Sequence, residues 1–190
     1  MAEMIEVRWH ARAGQGAVTA AKVLADTALE EGKYVQASPE YGPERMGAPL
    51  RAFNRISDRP IRIFSQVTNP GVVIVLDPTL LGMVDVTEGT PDDAVIVINT
   101  PESPADVRKR LKIQGRRLFT VDATRISLDT LGRAFPNTPM MGALVKATGI
   151  LKLESVLSEI EETLGKKFSQ KIVEGNLESV RRAYEEVKGE

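Results

Sequence analysis

A stretch near the start of the chain, from Arg8 to Gly16, combines a histidine with two arginines and two glycines. Gly14 and Gly16 flank Gln15 immediately before an Ala-rich segment, and such a turn at the start of a helix offers free backbone N–H groups to an anion. Arg12, in the same turn, has the charge to meet that anion. The spacing therefore predicts either a phosphate-binding turn or a tight structural turn that contacts a partner.

The turn is an incomplete dinucleotide-binding fingerprint. A complete one has a third glycine where this chain has Thr19, and an acidic residue near the end of the next strand, where this chain has residues 36–38 (Gln-Ala-Ser). The sequence also lacks the Gly-x-x-x-x-Gly-Lys-Ser/Thr loop. A free-standing nucleotide-binding module is therefore kept only as an alternative hypothesis.

A second stretch of interest, residues 38–49, holds three prolines and two glycines, so we expect it to be irregular. One interpretation is a rigid surface loop braced by its prolines. The other is a functional loop held over the same sheet edge as the glycine turn, since long ordered loops in compact domains tend to be functional. The candidate ligand or subunit-contact residues of the two stretches are Arg12, Gly14, Gln15, Gly16, Glu40, Tyr41, Gly42, Glu44 and Arg45.

The remaining inventory is poor in catalytic groups. The chain has no cysteine, which excludes disulfides, cysteine-ligated iron–sulfur clusters, zinc–cysteine sites and a thiol nucleophile. His10 is the single histidine, so neither a Ser/His/Asp arrangement nor a histidine-rich metal site can be argued; it is either a hydrogen-bonded structural residue or a ligand contact. Asp77 and Asp122 each follow a predicted strand, where they either cap the next segment or face the site.

The elements that position these residues alternate between strand and helix. Apolar and polar residues alternate through Ile5–Trp9, the helix begins at Ala17, and two continuous apolar runs, Val72–Leu76 and Ala94–Ile98, are typical of strands buried on both faces. Further predicted elements are a strand at Tyr34–Ala37, a hairpin of Arg51–Ile56 with Ile61–Phe64, helices at Pro104–Gln114, Ala123–Leu131 and Met140–Thr148, a strand at Arg117–Val121, and two C-terminal amphipathic helices.

This order predicts an α/β fold: a single Rossmann-like three-layer domain, residues 1–190, with a mostly parallel sheet, a β-hairpin insertion and C-terminal helices. The 25 basic and 26 acidic residues nearly cancel, so no field of one sign draws the chain to nucleic acid or to an anionic membrane. No apolar run approaches the roughly 18 residues of a membrane span. A cytoplasmic location is the simplest expectation.

Three motifs together resemble one protein family: Glu6–Lys22 (EVRWHARAGQGAVTAAK), Tyr41–Gly47 (YGPERMG) and Asn137–Ala143 (NTPMMGA). They occur in the same order in the gamma subunits of pyruvate:ferredoxin oxidoreductase and related 2-oxoacid:ferredoxin oxidoreductases. The likeness extends over nearly the whole chain and is far more specific than the Gly-Gln-Gly turn alone.

The resemblance implies a non-redox gamma subunit of a four-part enzyme that oxidatively decarboxylates pyruvate with coenzyme A to acetyl-CoA, CO2 and reduced ferredoxin. It implies alpha, beta and delta subunits as partners and ferredoxin as acceptor. It also implies that thiamine diphosphate, magnesium and 4Fe–4S clusters are held by other subunits, so that this chain alone binds no cofactor. On this hypothesis the glycine turn and the Tyr41 loop contact coenzyme A or neighbouring subunits, with Arg12 and Arg45 meeting its phosphates. The alternatives are a 2-oxoisovalerate enzyme subunit, the nucleotide-binding module, and an assembly protein without a small ligand.

Overall fold

A computed structural model of the chain describes residues 4–40 and 47–190. Its centre is a seven-stranded sheet with the strand order β2-β3-β1-β4-β5-β6-β7. The strands are β1 Ile5–Arg12, β2 Tyr34–Glu40, β3 Pro49–Ser57, β4 Val72–Val75, β5 Val95–Asn99, β6 Arg117–Val121 and β7 Lys188–Gly189. The helices are α1 Ala17–Glu30, α2 Pro104–Leu111, α3 Ala123–Leu131, α4 Asn137–Thr148, α5 Leu153–Gly165 and α6 Gln170–Glu186, with a short 3-10 helix at Pro78–Leu80.

Four neighbouring strands, β1, β4, β5 and β6, run parallel, whereas β3 and β7 are antiparallel to the strands they pair with. The uninterrupted burial of β4 and β5 explains their continuous apolar sequences, because helices or loops cover both faces of such strands. The predicted α/β fold with a mostly parallel sheet is confirmed.

Two apolar cores lie on opposite faces of the sheet. Alternate residues of β1, among them Trp9, join α1, α3, α4, α5 and α6 in the larger core. Val73 and Val75 of β4 face the other way and pack with Val107 of α2 in a smaller core. Since side chains of a strand alternate between faces, a residue's parity in β1 decides which layer it meets.

The predicted hairpin partner of β3 is wrong. Residues 61–64 form no strand; instead β3 pairs with β2 in full register, from Tyr34 opposite Ser57 to Glu40 opposite Arg51. Ile63 and Phe64 are exposed, so the apolar residues that suggested a strand have no packing partner to hold them there. The hairpin of the sheet is therefore β2–β3, and its connection is the proline-rich stretch.

Several predicted boundaries also differ, among them the start of α4, which is Asn137 rather than the predicted Met140. The stretch 38–49 is partly regular, because residues 38–40 continue β2 and Pro49 begins β3 at the edge of the ladder. Helix α2 ends at Leu111, short of the predicted Gln114, because Lys112 takes the left-handed conformation with φ 55°. In contrast, β6 and α3 have the predicted bounds.

Helix α4 approaches α6 more closely than ordinary side chains would allow. A Cβ atom on Gly142 would lie 2.1 Å from the carbonyl oxygen of Val180. This contact fixes the position of α4, whose N-terminus lies beside the glycine turn. No helix among residues 4–40 and 47–190 is long and apolar enough to cross a membrane.

Candidate functional site

The glycine turn joins β1 to α1 through two residues with left-handed backbone, Gly14 at φ 97° and Gly16 at φ 81°. The amide of Gln15 donates to the carbonyl of Arg12 at 3.1 Å, and the Gln15 side chain accepts from the Arg12 amide at 2.7 Å. A Cβ on Gly16 would lie 2.7 Å from Nδ2 of Asn137, so glycine is required there by conformation and by space. Hydrogen bonds between Arg12 and Gln15 thus close the turn, and Gly16 packs against Asn137 at the start of α4.

Asp77, at the end of β4, is the polar centre beneath the turn. Its Oδ2 accepts from Nε2 of Gln15 at 2.6 Å, and its Oδ1 accepts from the amide and hydroxyl of Thr79 at 2.8 and 2.7 Å. Nε of Arg12 lies 3.4 Å from Oδ2. Burial acts to raise the pKa of Asp77, but the hydrogen bonds from Thr79 and Gln15 and the charge of Arg12 outweigh it and lower the pKa below its usual value. Asp77 caps the 3-10 helix, which confirms the predicted capping role, and it also binds the glycine turn through Gln15.

Arg12 is held by contacts within the chain. Its Nε donates to the Thr79 hydroxyl at 3.0 Å, Nη1 to the Gly47 carbonyl at 3.0 Å, and Nη2 lies 3.4 Å from Sδ of Met83. It therefore ties the glycine turn to the far end of the proline-rich loop. This use competes with the predicted contact to a phosphate, because each of its three nitrogens already has a partner within the chain.

A cavity of about 520 Å³ opens on the α1 side of the turn. Gly14 and Gly16 form one wall, and the first turn of α1 another. Gly16 provides no side-chain cap to α1, so the first N–H groups of that helix keep their capacity to bind an acceptor. Other lining residues come from α4, α5, α6 and the α3–α4 and α5–α6 connections: Asn137, Thr138, Ile160, Asn176, Arg133 and Phe168.

The cavity is mainly apolar, with polar groups where the glycine turn meets α4. Oδ1 of Asn137 is buried and has no hydrogen-bond partner in the described part of the chain. A largely apolar cleft with a few converging polar groups next to a helix N-terminus is typical of a binding site for an organic anion.

The other predicted residues divide between places. Glu40 lies on the face of the sheet that carries the smaller core. Its carboxylate accepts from Nε and Nη2 of Arg51 at 2.6 and 2.9 Å. Tyr41, Gly42, Glu44 and Arg45 lie outside the described residues. The structure therefore brings Arg12 and Gln15 together around Asp77, and Gly14 and Gly16 together on the cavity, whereas Glu40 pairs with Arg51 and does not line that cavity.

The predicted structural residues also have different outcomes. Asp122 caps α3 by accepting from the amide of Arg125 at 3.0 Å, which confirms a capping role. His10 is 4% exposed, and its Nε2 has no hydrogen-bond partner among residues 4–40 and 47–190, so the hydrogen-bonded interpretation is wrong for that nitrogen.

Sequence reasoning missed two polar residues that support the site. Asn54 of β3 accepts from the indole of Trp9 at 2.8 Å and donates to the Ala21 carbonyl at 2.7 Å, joining β1 to α1. Thr79 bridges Arg12 and Asp77. The signal available for Asn54 was a polar residue inside an alternating strand, at a position whose parity faces the core.

Metal binding finds no support in the described residues. The sequence contains no cysteine, and no group of three or more histidine, aspartate or glutamate side chains in residues 4–40 and 47–190 could hold a metal ion. Without cysteine, the chain has no thiolate to ligate an iron–sulfur cluster.

Comparison with known proteins gives the family. Residues 6–186 match the model of the pyruvate ferredoxin/flavodoxin oxidoreductase family. The chain is 52% identical over 183 residues to the pyruvate synthase subunit PorC of Thermotoga maritima, covering 96% of this chain and 94% of that protein. It is 50% identical over 182 residues to the common gamma subunit of the pyruvate/ketoisovalerate oxidoreductases of Pyrococcus abyssi, covering 96% of each.

A solved structure agrees. The crystal structure of the pyruvate oxidoreductase subunit PORC from Thermotoga maritima matches with a TM-score of 0.86 and 46% identity over 98% of both chains. The resemblance inferred from the three motifs is thereby confirmed: the chain belongs to the pyruvate ferredoxin/flavodoxin oxidoreductase family.

Proposed function

We propose that the chain is the gamma subunit of a pyruvate:ferredoxin oxidoreductase, which converts pyruvate and coenzyme A to acetyl-CoA and CO2 while reducing ferredoxin. The observation that supports this most strongly is the 52% identity to a pyruvate synthase subunit over 96% of this chain. In the proposed assembly, alpha, beta and delta subunits hold thiamine diphosphate, magnesium and the 4Fe–4S clusters. The proposed setting is the cytoplasm, and the chain acts there as one domain.

The role that we propose for this chain in the enzyme involves no redox chemistry. Without cysteine the chain has no thiolate to ligate an iron–sulfur cluster or to act as nucleophile. Its contribution is then to complete the assembly and to contact coenzyme A.

Coenzyme A is proposed to contact the cavity at the glycine turn and the Tyr41 loop. The uncapped N-terminus of α1 offers N–H donors and a positive dipole to a phosphate, while the apolar walls suit the uncharged part of the molecule. Arg12 supports this contact indirectly, by holding the turn and Gly47 together. Arg45, if it supplies charge, does so from the loop.

The coenzyme A contact can be tested at Thr19, which is exposed in the first turn of α1 and lines the cavity. Thr19→Glu places a negative charge where it stabilises the helix dipole but repels a phosphate, so lost affinity cannot be attributed to unfolding. In the reconstituted enzyme we expect calorimetry to show coenzyme A binding weakened about tenfold, against little change for the uncharged control Thr19→Gln.

A second comparison tests the loop: Arg45→Ala against Arg110→Ala, which removes an α2 side chain that pairs with Glu102. Unchanged affinity in both Thr19→Glu and Arg45→Ala would exclude the coenzyme A contact and leave the assembly role alone. Binding of a dinucleotide by the isolated chain would favour the nucleotide-binding alternative instead.

A shared subunit is the second candidate function. The 50% identity to a gamma subunit common to pyruvate and ketoisovalerate oxidoreductases favours it. Reconstitution with each set of partner subunits, followed by activity on pyruvate and 2-oxoisovalerate, separates the two. A shared subunit supports both activities, whereas a dedicated one supports pyruvate alone.

A further inference from the structure

A second cavity lies on the opposite face of the sheet from the cavity at the glycine turn. Arg8, His10 and Arg12 alternate along β1 with the residues that enter the larger core, so they point to this second face. Over β4 and β5 that face is packed by the smaller apolar core, but the connection from Leu81 to Glu88 leaves a cavity of about 360 Å³ beside β1 and β3. We call it the His10 pocket, and its polar lining residues are His10, Glu40, Arg51, Asp85 and Glu88.

The floor of the His10 pocket is an imidazole whose hydrogen-bonding capacity is not used. His10 is 4% exposed, and its Nε2 has no partner in the described ranges. Burial, together with the charges of Arg8 and Arg51, lowers the pKa of His10 to about 3, although Asp85 acts to raise it. The ring is therefore neutral near pH 7 and adds no positive charge to the floor.

The walls of the pocket carry more negative than positive charge. Three carboxylates, Glu40, Asp85 and Glu88, face one guanidinium, Arg51. Glu40 already neutralises Arg51 through two contacts, at 2.6 and 2.9 Å. The remaining pair, Asp85 and Glu88, is exposed at the mouth.

The two mouth carboxylates keep free acceptor capacity. Glu88 lies 3.8 Å from Arg51, and its side chain is 70% exposed. Asp85 accepts the amide and hydroxyl of Thr87 at its Oδ1, and no contact within residues 4–40 and 47–190 engages its Oδ2.

Arg8 lies beneath the pocket and does not cancel the mouth charge. It is 3% exposed and donates to the carbonyl of Val86 at 3.0 Å. Among the described residues, the charges that act on His10 and Arg8 come from three carboxylates and two guanidinium groups, and the excess negative charge lies at the exposed mouth. Arg116 also acts on Asp85, but it is paired with Asp92. An anion would be repelled on entry, whereas a cationic group would meet carboxylates first and an uncharged floor behind them.

We propose that the His10 pocket receives a basic side chain, arginine or lysine, from a partner subunit. The cation pairs with Asp85 and Glu88, and its stem passes along Leu80 and Val84 at the apolar wall. This inference rests on the proposed function for the existence of a partner subunit, but the chemistry of the pocket stands on the geometry of this chain.

The pocket can be tested on the full chain by nitrogen NMR, since His10 is its only histidine and gives one set of imidazole signals. Titration with N-acetyl-arginine methylamide is expected to shift these signals saturably in the wild type. The double variant Asp85→Asn/Glu88→Gln should lose the response. N-acetyl-citrulline methylamide, which has the same shape without the charge, and inorganic phosphate should give none. No response to the arginine probe, an equal response to citrulline, or a response only to phosphate would overturn the proposal.

The partner is tested by affinity of the chain for the remaining subunits of the oxidoreductase. Asp85→Asn/Glu88→Gln should bind about tenfold more weakly and lose salt sensitivity. The matched control Glu178→Gln/Glu185→Gln removes two exposed charges from α6 and should bind as the wild type does. Equal affinity of all three proteins would refute insertion from a subunit. Failure of the wild type to assemble would instead refute the proposed function, while the NMR titration would still decide what the pocket binds.

Discussion

Single residues of this chain show how burial changes the role of a polar side chain. Asp77 lies two residues after β4 and His10 lies in the neighbouring strand β1, and both are more than nine-tenths buried. Asp77 is surrounded by donors and is held as a carboxylate, whereas His10 lies near two guanidinium groups and is held neutral. Hydrogen-bond donors therefore keep Asp77 charged, whereas burial and nearby positive charge keep His10 uncharged.

The unusual pKa of His10 predicts a pH dependence of stability. The pKa of His10 is about 6.5 in the unfolded chain and about 3 in the folded chain. Between these values the unfolded state binds the extra proton, so stability is lost as the pH falls. From about pH 6.5 to about pH 4 the wild type should lose about 3 kcal/mol more of its unfolding free energy than His10→Gln. Urea unfolding at several pH values measures this, and parallel curves for both proteins would contradict it.

Asp77 predicts the behaviour of a lowered carboxyl pKa. Asp77→Asn keeps the shape but loses the charge that Arg12, Gln15 and Thr79 contact, so it should destabilise the fold by about 1–3 kcal/mol at neutral pH. The difference from wild type should shrink as the pH falls through the folded pKa, because the wild type then loses the same charge. Exposed Asp93→Asn is the control and should stay near wild type. A pH-independent difference would argue against a role for the charge.

At the scale of elements, close contacts of α4 with α6 and with the glycine turn fix the position of the helices around the site. Asn137 begins α4 and contacts the Gly16 position, so the placement of α4 sets one wall of the cavity. That placement depends in turn on α6, whose Val180 carbonyl faces Gly142 with no room for a side chain. The glycine turn is thus supported through two helices that lie far from it in sequence.

Alanine substitution at two glycines separates close packing from backbone freedom. Gly142→Ala must push α4 away from α6 and should cost about 3 kcal/mol. Gly165→Ala, at the end of α5 in open space and without a left-handed backbone, should instead gain about 0.5 kcal/mol because it restricts the unfolded chain. Thermal and denaturant unfolding measure both. Similar effects at the two positions would show that the α4–α6 contact is more adaptable than the structure indicates.

For the whole molecule, the sheet order places the strongest structure in the centre and the least protected strand at the edge. β4 and β5 are paired on both sides and entirely buried, whereas β2 is an edge strand without a buried residue. Leu50 of β3, the strand that pairs with β2, lines both cavities. Contacts to partner subunits at either cavity would therefore bind the less protected half of the sheet.

Hydrogen exchange should show this gradient. Amides of Val72–Val75 and Val95–Asn99 should exchange last, and those of Tyr34–Glu40 first, because edge strands open without breaking the central ladder. Exchange followed by mass spectrometry measures the order. Protection of β2 equal to that of β4 would mean that the sheet opens as one unit.

Much of the fold could be predicted because local patterns agreed with the tertiary structure. β6 and α3 have the predicted bounds, since strand burial and an Asp cap are both encoded within a few residues. The partner of β3 was mispredicted because residues 61–64 have the apolar residues of a strand but no face to bury. Pairing with β2 depends on contacts between residues on either side of a loop, and a local pattern does not contain that information.

The candidate site divides in the same way. The sequence alone determined that a glycine turn joins β1 to α1, because only glycine adopts φ near 81–97° at no cost, and the chain's three motifs determined its family. Only the tertiary structure decided that Arg12 contacts Thr79, Gly47 and Asp77. It also decided that Gly16 faces Asn137 and that His10 is buried beside Arg8 and Arg51. The physical reason is that charge pairing and burial depend on residues 35 to 121 positions away, whose approach is set by the packing of the sheet and its two layers.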